Sequence, residues 1–304
     1  MVGALLTAIF FGITPVCARR SIRLLGVLRA NLFRLLIALA VLGSYAFIFG
    51  NGFGGPFPWF FVAGAIGFGL GGLAMFQALP RLGAPLTSLI VESFAALTAT
   101  VLAWYWFNDS FGHGVIWFCF LVLIGITVGL WPYISGDKRR ENGLTGLMWA
   151  VIAAIGQGIS ITISRKAILD MVATGETLHL LTASFQRLLG GAFIAGLLLL
   201  LLRRSATDLS FVLERKSESD ITALTDRPWF WVGLNAIFGP ILGVTCLIWA
   251  LKSMPAGVVQ TIAATAPLIS VPFARWLEGY RPPAMYYLGG IIAFAGLASI
   301  YLYR

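Results

Sequence analysis

FPWFFVAGAIGFGLGGLAMFQAL, residues 57–79, decides the class of fold. It carries no charged side chain and is continuous rather than alternating in polarity. A bilayer core of about 30 Å is crossed by roughly 20 apolar residues in a helix, and this run has that length. Similar runs lie on either side of it, at 2–18, 30–49, 84–106 and 114–134, and a second series follows at 143–167, 177–202, 228–251, 255–277 and 283–303. Turn chemistry separates them: Gly50-Asn51-Gly52, Gly54-Gly55-Pro56, Asn108-Asp109, Ser135-Gly136-Asp137 and Arg281-Pro282-Pro283. Membrane β-strands would alternate apolar and polar residues and are excluded. The expected fold is an all-α membrane protein of ten transmembrane helices.

Composition agrees. Of 304 residues, 59% are hydrophobic and 11% charged, with mean hydropathy +0.90. A soluble domain carries roughly 25% charged residues, so lipid must replace much of the usual polar shell. The net charge of +9 does not indicate nucleic acid. Its sources, such as Arg19-Arg20, Lys138-Arg139-Arg140, Arg203-Arg204 and Arg215-Lys216, cluster between apolar runs, as in the loops beside membrane spans. Residues 203–227 form the one long polar stretch, of mixed charge, and read as a surface loop with partial helix. Cys17, Cys119 and Cys246 fall inside apolar runs, and His113 and His179 stand far apart. Neither a disulfide framework nor a metal site is expected, and no cofactor. Residues 2–18 read as the first span, because their basic cluster follows the run where a cleaved signal would have it first.

The two halves resemble one another. Ala30-Asn31-Leu32-Phe33-Arg34-Leu35-Leu36 aligns with Ala183-Ser184-Phe185-Gln186-Arg187-Leu188-Leu189, and Pro58-Trp59-Phe60-Phe61-Val62 with Pro228-Trp229-Phe230-Trp231-Val232. Ala78-Leu79 and Ala84 match Ala250-Leu251 and Ala256, Trp104 matches Trp276, and Gly125 matches Gly296. The shared order points to duplication, into residues 1–136 and 143–304. Five spans per half is an odd number, so the second half must enter the membrane upside down. Inverted repeats of this kind usually hold substrate near the midplane, between the halves.

With these residues in view, the chain resembles the EamA-type ten-helix carriers of the drug/metabolite transporter superfamily. The resemblance rests on Arg34 and Arg187, opening the second span of each half, and on Ala250-Leu251, Val258-Val259-Gln260, Pro267-Leu268 and Glu278-Gly279. It covers essentially the whole chain. It implies two inverted five-helix repeats around a central cavity and a transport function. The first half departs from the pattern, with Ala95 and Trp106 where the second has Pro267 and Glu278.

Candidate site residues are the polar groups within the spans. Glu92 lies near the centre of the fourth span, where an ionised acid costs about 2.5–3.5 kcal/mol on insertion scales. It must protonate or find partners, and both options suit a proton-coupled or charge-recognising carrier. Arg34 and Arg187 could clamp a carboxylate or phosphate, or could instead be snorkelling anchors near the interface. Asn31, Ser184 and Gln186 share that alternative. Gln157, Gln77, Asn235, Gln260 and Thr261 could orient a substrate or glue helices together. Trp104, Trp249 and Trp276 could stack on substrate or form an interfacial belt. Gly67, Gly69, Gly71, Gly72, Gly125 and Gly129 read as helix-packing positions, and Pro240 and Pro267 as places where a helix opens. No nucleophile, base and orienting acid occur together.

The expected function is a secondary transporter moving a small polar metabolite, such as an amino acid, by alternating access. Export is favoured, with coupling to a proton through Glu92. The alternatives are a facilitative exchanger of organic phosphates or nucleotide-type anions, a membrane-embedded enzyme and a non-transporting scaffold. The expected partners are the bilayer and a small-molecule substrate, as monomer or homodimer, in a bacterial inner membrane. Lys and Arg counts place both termini outside the cytoplasm; the family resemblance more often implies termini inside.

Overall fold

Gly26 alone joins the first two long helices, with φ 78° and ψ 164°, and Gly83 alone joins another pair, with φ 81° and ψ 164°. That corner of backbone space is essentially reserved for glycine, and other residues strain there by about 1–3 kcal/mol. Gly83→Ala is therefore expected to destabilise the protein by that amount, read as a lower melting temperature in detergent. An unchanged melt would mean that the turn relaxes at no cost.

The computed structural model describes residues 1–107, 113–134, 143–175, 177, 179–204, 227–278 and 284–303. The elements are α1 (Val2–Leu25), α2 (Val27–Ile48), α3 (Phe57–Gly64), α4 (Gly72–Leu82), α5 (Ala84–Phe107), α6 (His113–Ile134) and α7 (Gly143–Ala173). They continue with α8 (Leu180–Arg204), α9 (Pro228–Ala236), α10 (Val244–Ser253), α11 (Ala256–Ala263), α12 (Ala266–Glu278) and α13 (Ala284–Tyr303). A π-helical turn, Ala65–Gly71, splices α3 to α4, and another, Ile237–Gly243, splices α9 to α10. Among the described residues, eight helices or continuous helical stretches are long and apolar enough to cross a membrane. Most of the expected polar stretch 203–227, the junction between the two halves, and the turns at Asn108-Asp109, Ser135–Asp137 and Arg281–Pro283 lie outside the described residues.

Three expectations change. The first run continues past residue 18 to Leu25, so Arg19, Arg20 and Arg23 are helical. Long basic side chains can keep their heads at the surface while their stems run along the helix, and the Arg20 guanidinium lies 4.4 Å over the Trp231 ring. The ninth run is not one helix: α11 stops at Ala263 and α12 begins at Ala266. Pro267 has no N–H to offer the carbonyl four residues back, but suits the first turn of a new helix. The π-helical turns were not foreseen. Pro240 removes a donor inside the second. In the first, glycines meet neighbours closely, Gly67 against Ser160 and Gly69 against Ile194.

At one end of the bundle, Ile22, Val27, Ala30, Phe76, Leu79 and Ala84 share a buried cluster, and Gly146 near the start of α7 packs on Arg81 and Leu82. At the other end, Asn51, Gly54, Thr177 and His179 line one shallow cleft. α1 finishes at the first end and α7 starts there, so these two helices run in opposite senses. α11 sits innermost, with all eight of its residues buried.

Candidate functional site

Because α2 begins directly after Gly26, Arg34 sits seven residues into its helix (27 to 34), and Arg187 sits seven into α8 (180 to 187). At 1.5 Å per residue each is about 10 Å beyond its helix start. Both are buried, at 4% and 3% exposed. This speaks against the snorkelling reading, since neither side chain reaches the surface of the bundle.

One helical strand holds both arginines. Residues Gly64, Phe68, Gly72 and Phe76 recur every four positions through α3, the first π-turn and α4. The Arg187 guanidinium lies 5.4 Å over the Phe68 ring, and that of Arg34 lies 4.4 Å over Phe76. Glycine four residues before each ring lets α8 and the Arg34–Asn31 pair come close: a Cβ on Gly64 would overlap the Arg187 carbonyl, and one on Gly72 would stand 3.2 Å from Arg34 Nη2. The two cations are nevertheless used differently. Arg34 donates from Nε and Nη2 to Asn31 Oδ1, at 3.1 and 2.9 Å. Arg187 donates from Nη2 to Ser160 Oγ at 3.0 Å, and Ser160 Oγ donates to the Ala63 carbonyl at 2.5 Å. Nε and Nη1 of Arg187 have no hydrogen-bond partner among the described residues.

Glu92 on α5 is 4% exposed. Its Oε2 accepts Gln157 Nε2 of α7 at 3.0 Å and Gln260 Nε2 of α11 at 2.6 Å. An unpartnered polar group so far from water is costly, and these two amides are the partners. Gln260 is itself fully buried, with Oε1 unpartnered among the described residues. The hydroxyls of Thr87, Ser88 and Ser93, on the same helix as Glu92, are also buried without partners there.

Helix α7 ties the two groups together. Gln157 holds the acid and Ser160 holds the guanidinium, and residues three apart on a helix are neighbours on one face, about 5–6 Å between Cβ atoms. Among the described residues no ion pair joins Glu92 to either arginine; the pair at the surface is Lys166–Asp170, at 3.2 Å. The residues of α7 that hold a buried acid and a buried guanidinium thus stand one helical turn apart, and among the described residues the two charges form no ion pair.

The other expected residues divide. Gln157 and Gln260 join the site. Gln77 does not: its carbonyl and Oε1 accept Arg81 Nη1, at 2.5 and 2.8 Å. Thr261 donates to its own helix at Gly257 O, 2.9 Å. Asn235 is buried beside Gly239 and makes no hydrogen bond to Glu92 or its amides among the described residues. Ser184 donates to the Leu180 carbonyl at 2.9 Å and lies 3.2 Å from the Thr245 hydroxyl. Gln186 fastens the loop before α3, donating from Nε2 to the carbonyls of Gly52 and Gly54 at 2.9 Å each. Trp104, Trp249 and Trp276 are exposed and make none of the contacts around Glu92 or Arg187 described above. Ser160, Phe68 and Phe76 were missed. The four-residue Gly/Phe spacing was the signal for the rings, and the position of Ser160 one turn beyond Gln157 was the signal for the hydroxyl.

Comparison with known proteins adds the lineage. The model of the EamA-like transporter family matches residues 1–131 and 144–302. A solved crystal structure superposes with a TM-score of 0.72 over 98% of this chain and 95% of its own, at 15% identity, which is a likeness of fold. No curated protein matches the sequence. The chain belongs to the EamA-like transporter family, within the drug/metabolite transporter superfamily, and is a multi-pass integral membrane protein of transporter type.

Proposed function

We propose that the protein is a secondary transporter that moves a small zwitterionic metabolite of the amino-acid type by alternating access, with Glu92 also carrying a proton. The observation that carries this reading is the buried, mutually unpaired couple of Glu92 and Arg187 on one face of α7. The two unused donors of Arg187 suit a carboxylate, which accepts bidentate hydrogen bonds from guanidinium. The Glu92 carboxylate suits an ammonium. An organic-phosphate exchanger is the weaker reading, because Glu92 would repel a second negative charge and Nε and Nη2 of Arg34 already donate to Asn31.

The proposal includes ten transmembrane helices in two inverted repeats, residues 1–136 and 143–304, in a bacterial inner membrane. α6 and α13 bring the eight spans to ten. The π-turns support the repeat, since their starts and ends are both offset by 172 residues (65 to 237, 71 to 243). So does the opposed sense of α1 and α7.

A thermal-shift screen of the purified protein against amino acids, sugars, nucleotides and organic phosphates tests the substrate class. Compounds bearing both an ammonium and a carboxylate are expected to stabilise it; stabilisation by phosphates alone would overturn the reading. For coupling, Glu92→Gln in reconstituted vesicles is expected to lower transport about tenfold, the equivalent of roughly 1.4 kcal/mol, and to flatten its dependence on pH. Wild-type rates with an unchanged pH profile would remove Glu92 from proton transfer.

A further inference from the structure

Asn235 is 0% exposed, yet neither its Nδ2 nor its Oδ1 has a hydrogen-bond partner among the described residues. Buried amides are nearly always satisfied, and one that is not calls for an explanation. Its surroundings are polar on a second side. A Cβ on Gly239 would lie 3.6 Å from Asn235 Oδ1 and 3.4 Å from Thr14 Oγ1, so both oxygens face one notch above that glycine.

The internal symmetry says what this notch corresponds to. The π-turn offset of 172 carries Ala63 onto Asn235, Gly67 onto Gly239 and Gly71 onto Gly243. An offset of 146 carries α1 onto α7, so that Phe11, Gly12 and Thr14 fall on Gln157, Gly158 and Ser160. Packing agrees at three places. Gly67 faces Ser160 as Gly239 faces Thr14, Gly71 faces Gln157 as Gly243 faces Phe11, and Gly158 meets α5 as Gly12 meets α12. The offset of 153 carries Arg34 onto Arg187. Arg187 rests on Ser160 beside Ala63; the matching seat for Arg34 is Thr14 beside Asn235. In this structure Arg34 is elsewhere, on Asn31 and Phe76.

We propose that Thr14 and Asn235 form an alternative seat for the Arg34 guanidinium, occupied in the opposite-facing state of the transport cycle. The inference rests on the inverted-repeat reading above. In such a fold the two halves can exchange conformations, so each arginine takes in one state the surroundings its counterpart has in the other. The seat is within reach of α2, because Leu35 and Ala38 share a buried cluster with Ala236, and the Phe33 ring stands 5.1 Å from Trp229. The mirrored helix crossing carries Ala236 and Ile37 where the first has Gly64 and Gly190. A side chain at each of those positions holds the helices further apart, and Asn235 presents a side-chain amide beside Thr14 where, in the first half, the Ala63 carbonyl accepts from Ser160. The orphaned amide is the acceptor that Arg34 finds on arrival.

Asn235→Asp tests this by adding a negative charge to the seat. Spin-label pairs at Asn51 and Thr174, and at Arg23 and Leu144, report the two ends of the bundle in lipid nanodiscs. The variant is expected to shift both distance distributions by several ångströms, in opposite directions, and Asn235→Asp with Arg34→Met to restore the original distributions. Identical distributions with and without Arg34 would overturn the proposal. Asn235→Leu is the second arm: it is expected to melt no lower than the parent protein, keep the distributions of the present conformation, and transport at least tenfold more slowly. Turnover of the Leu variant at parental rates would overturn the proposal too. The distances need neither substrate nor flux, so a failed substrate screen sinks the functional reading while leaving the Asn235→Asp arm intact.

Discussion

Arg187→Met is expected to reduce transport by about 100-fold or more while leaving the melting temperature unchanged or raised. The opposite signs follow from the position of the guanidinium. It is buried, makes one hydrogen bond to Ser160, and has two donors unpartnered among the described residues. Replacing such a charge by an apolar side chain of similar length relieves desolvation, which is often neutral or stabilising. For a bound carboxylate the substitution removes two charge-assisted hydrogen bonds, worth about 1.5–3 kcal/mol each. Even at the lower end these sum to about 3 kcal/mol, and 1.4 kcal/mol is tenfold. Arg187→Lys is expected to recover only part of the loss, because an ammonium cannot present the planar fork. The check is initial uptake into proteoliposomes beside a melting curve for each variant. Equal losses of stability and transport would make Arg187 a structural residue only.

Gly64→Val has the largest expected effect on stability, a loss of about 3 kcal/mol. α3 and α8 meet backbone to backbone: a Cβ on Gly64 would overlap the Arg187 carbonyl, and one on Gly190 would overlap that of Phe61. Inserting atoms into a closed contact usually costs about 1–3 kcal/mol, and here the obstacle is main chain, which cannot rotate away. Separating the helices also lifts Arg187 off Ser160, so transport is expected to fail along with the fold. Gly233→Ala is the control. Nothing stands within 4 Å of its added Cβ, and alanine is the better helix former, so its melt should be unchanged or slightly higher. A Gly64 variant as stable as that control would show that the crossing has slack.

The amino-acid sequence by itself determined the solvent, the class of fold and the identity of the polar actors. Long uncharged runs have one stable home, because hydrocarbon forces each backbone to satisfy itself within a helix. Glu92, Gln157, Gln260, Arg34 and Arg187 stood out for a related reason: a polar side chain amid such runs is expensive, and its presence signals a role. Depth was harder to read. Arg34 looked interfacial because Gly26 does not announce that a whole turn between helices can be made by one residue. The grouping of the polar actors was decided by tertiary structure alone. Glu92, Gln157 and Gln260 are separated by 65 and 103 positions in the chain, and only the crossing of α5, α7 and α11 brings their side chains into contact. Gln77 and Gln157 are chemically identical, yet one serves Arg81 and the other Glu92, because the direction a side chain faces depends on which helices pack around it. A one-dimensional pattern records which residues must leave water; it does not record which of them meet.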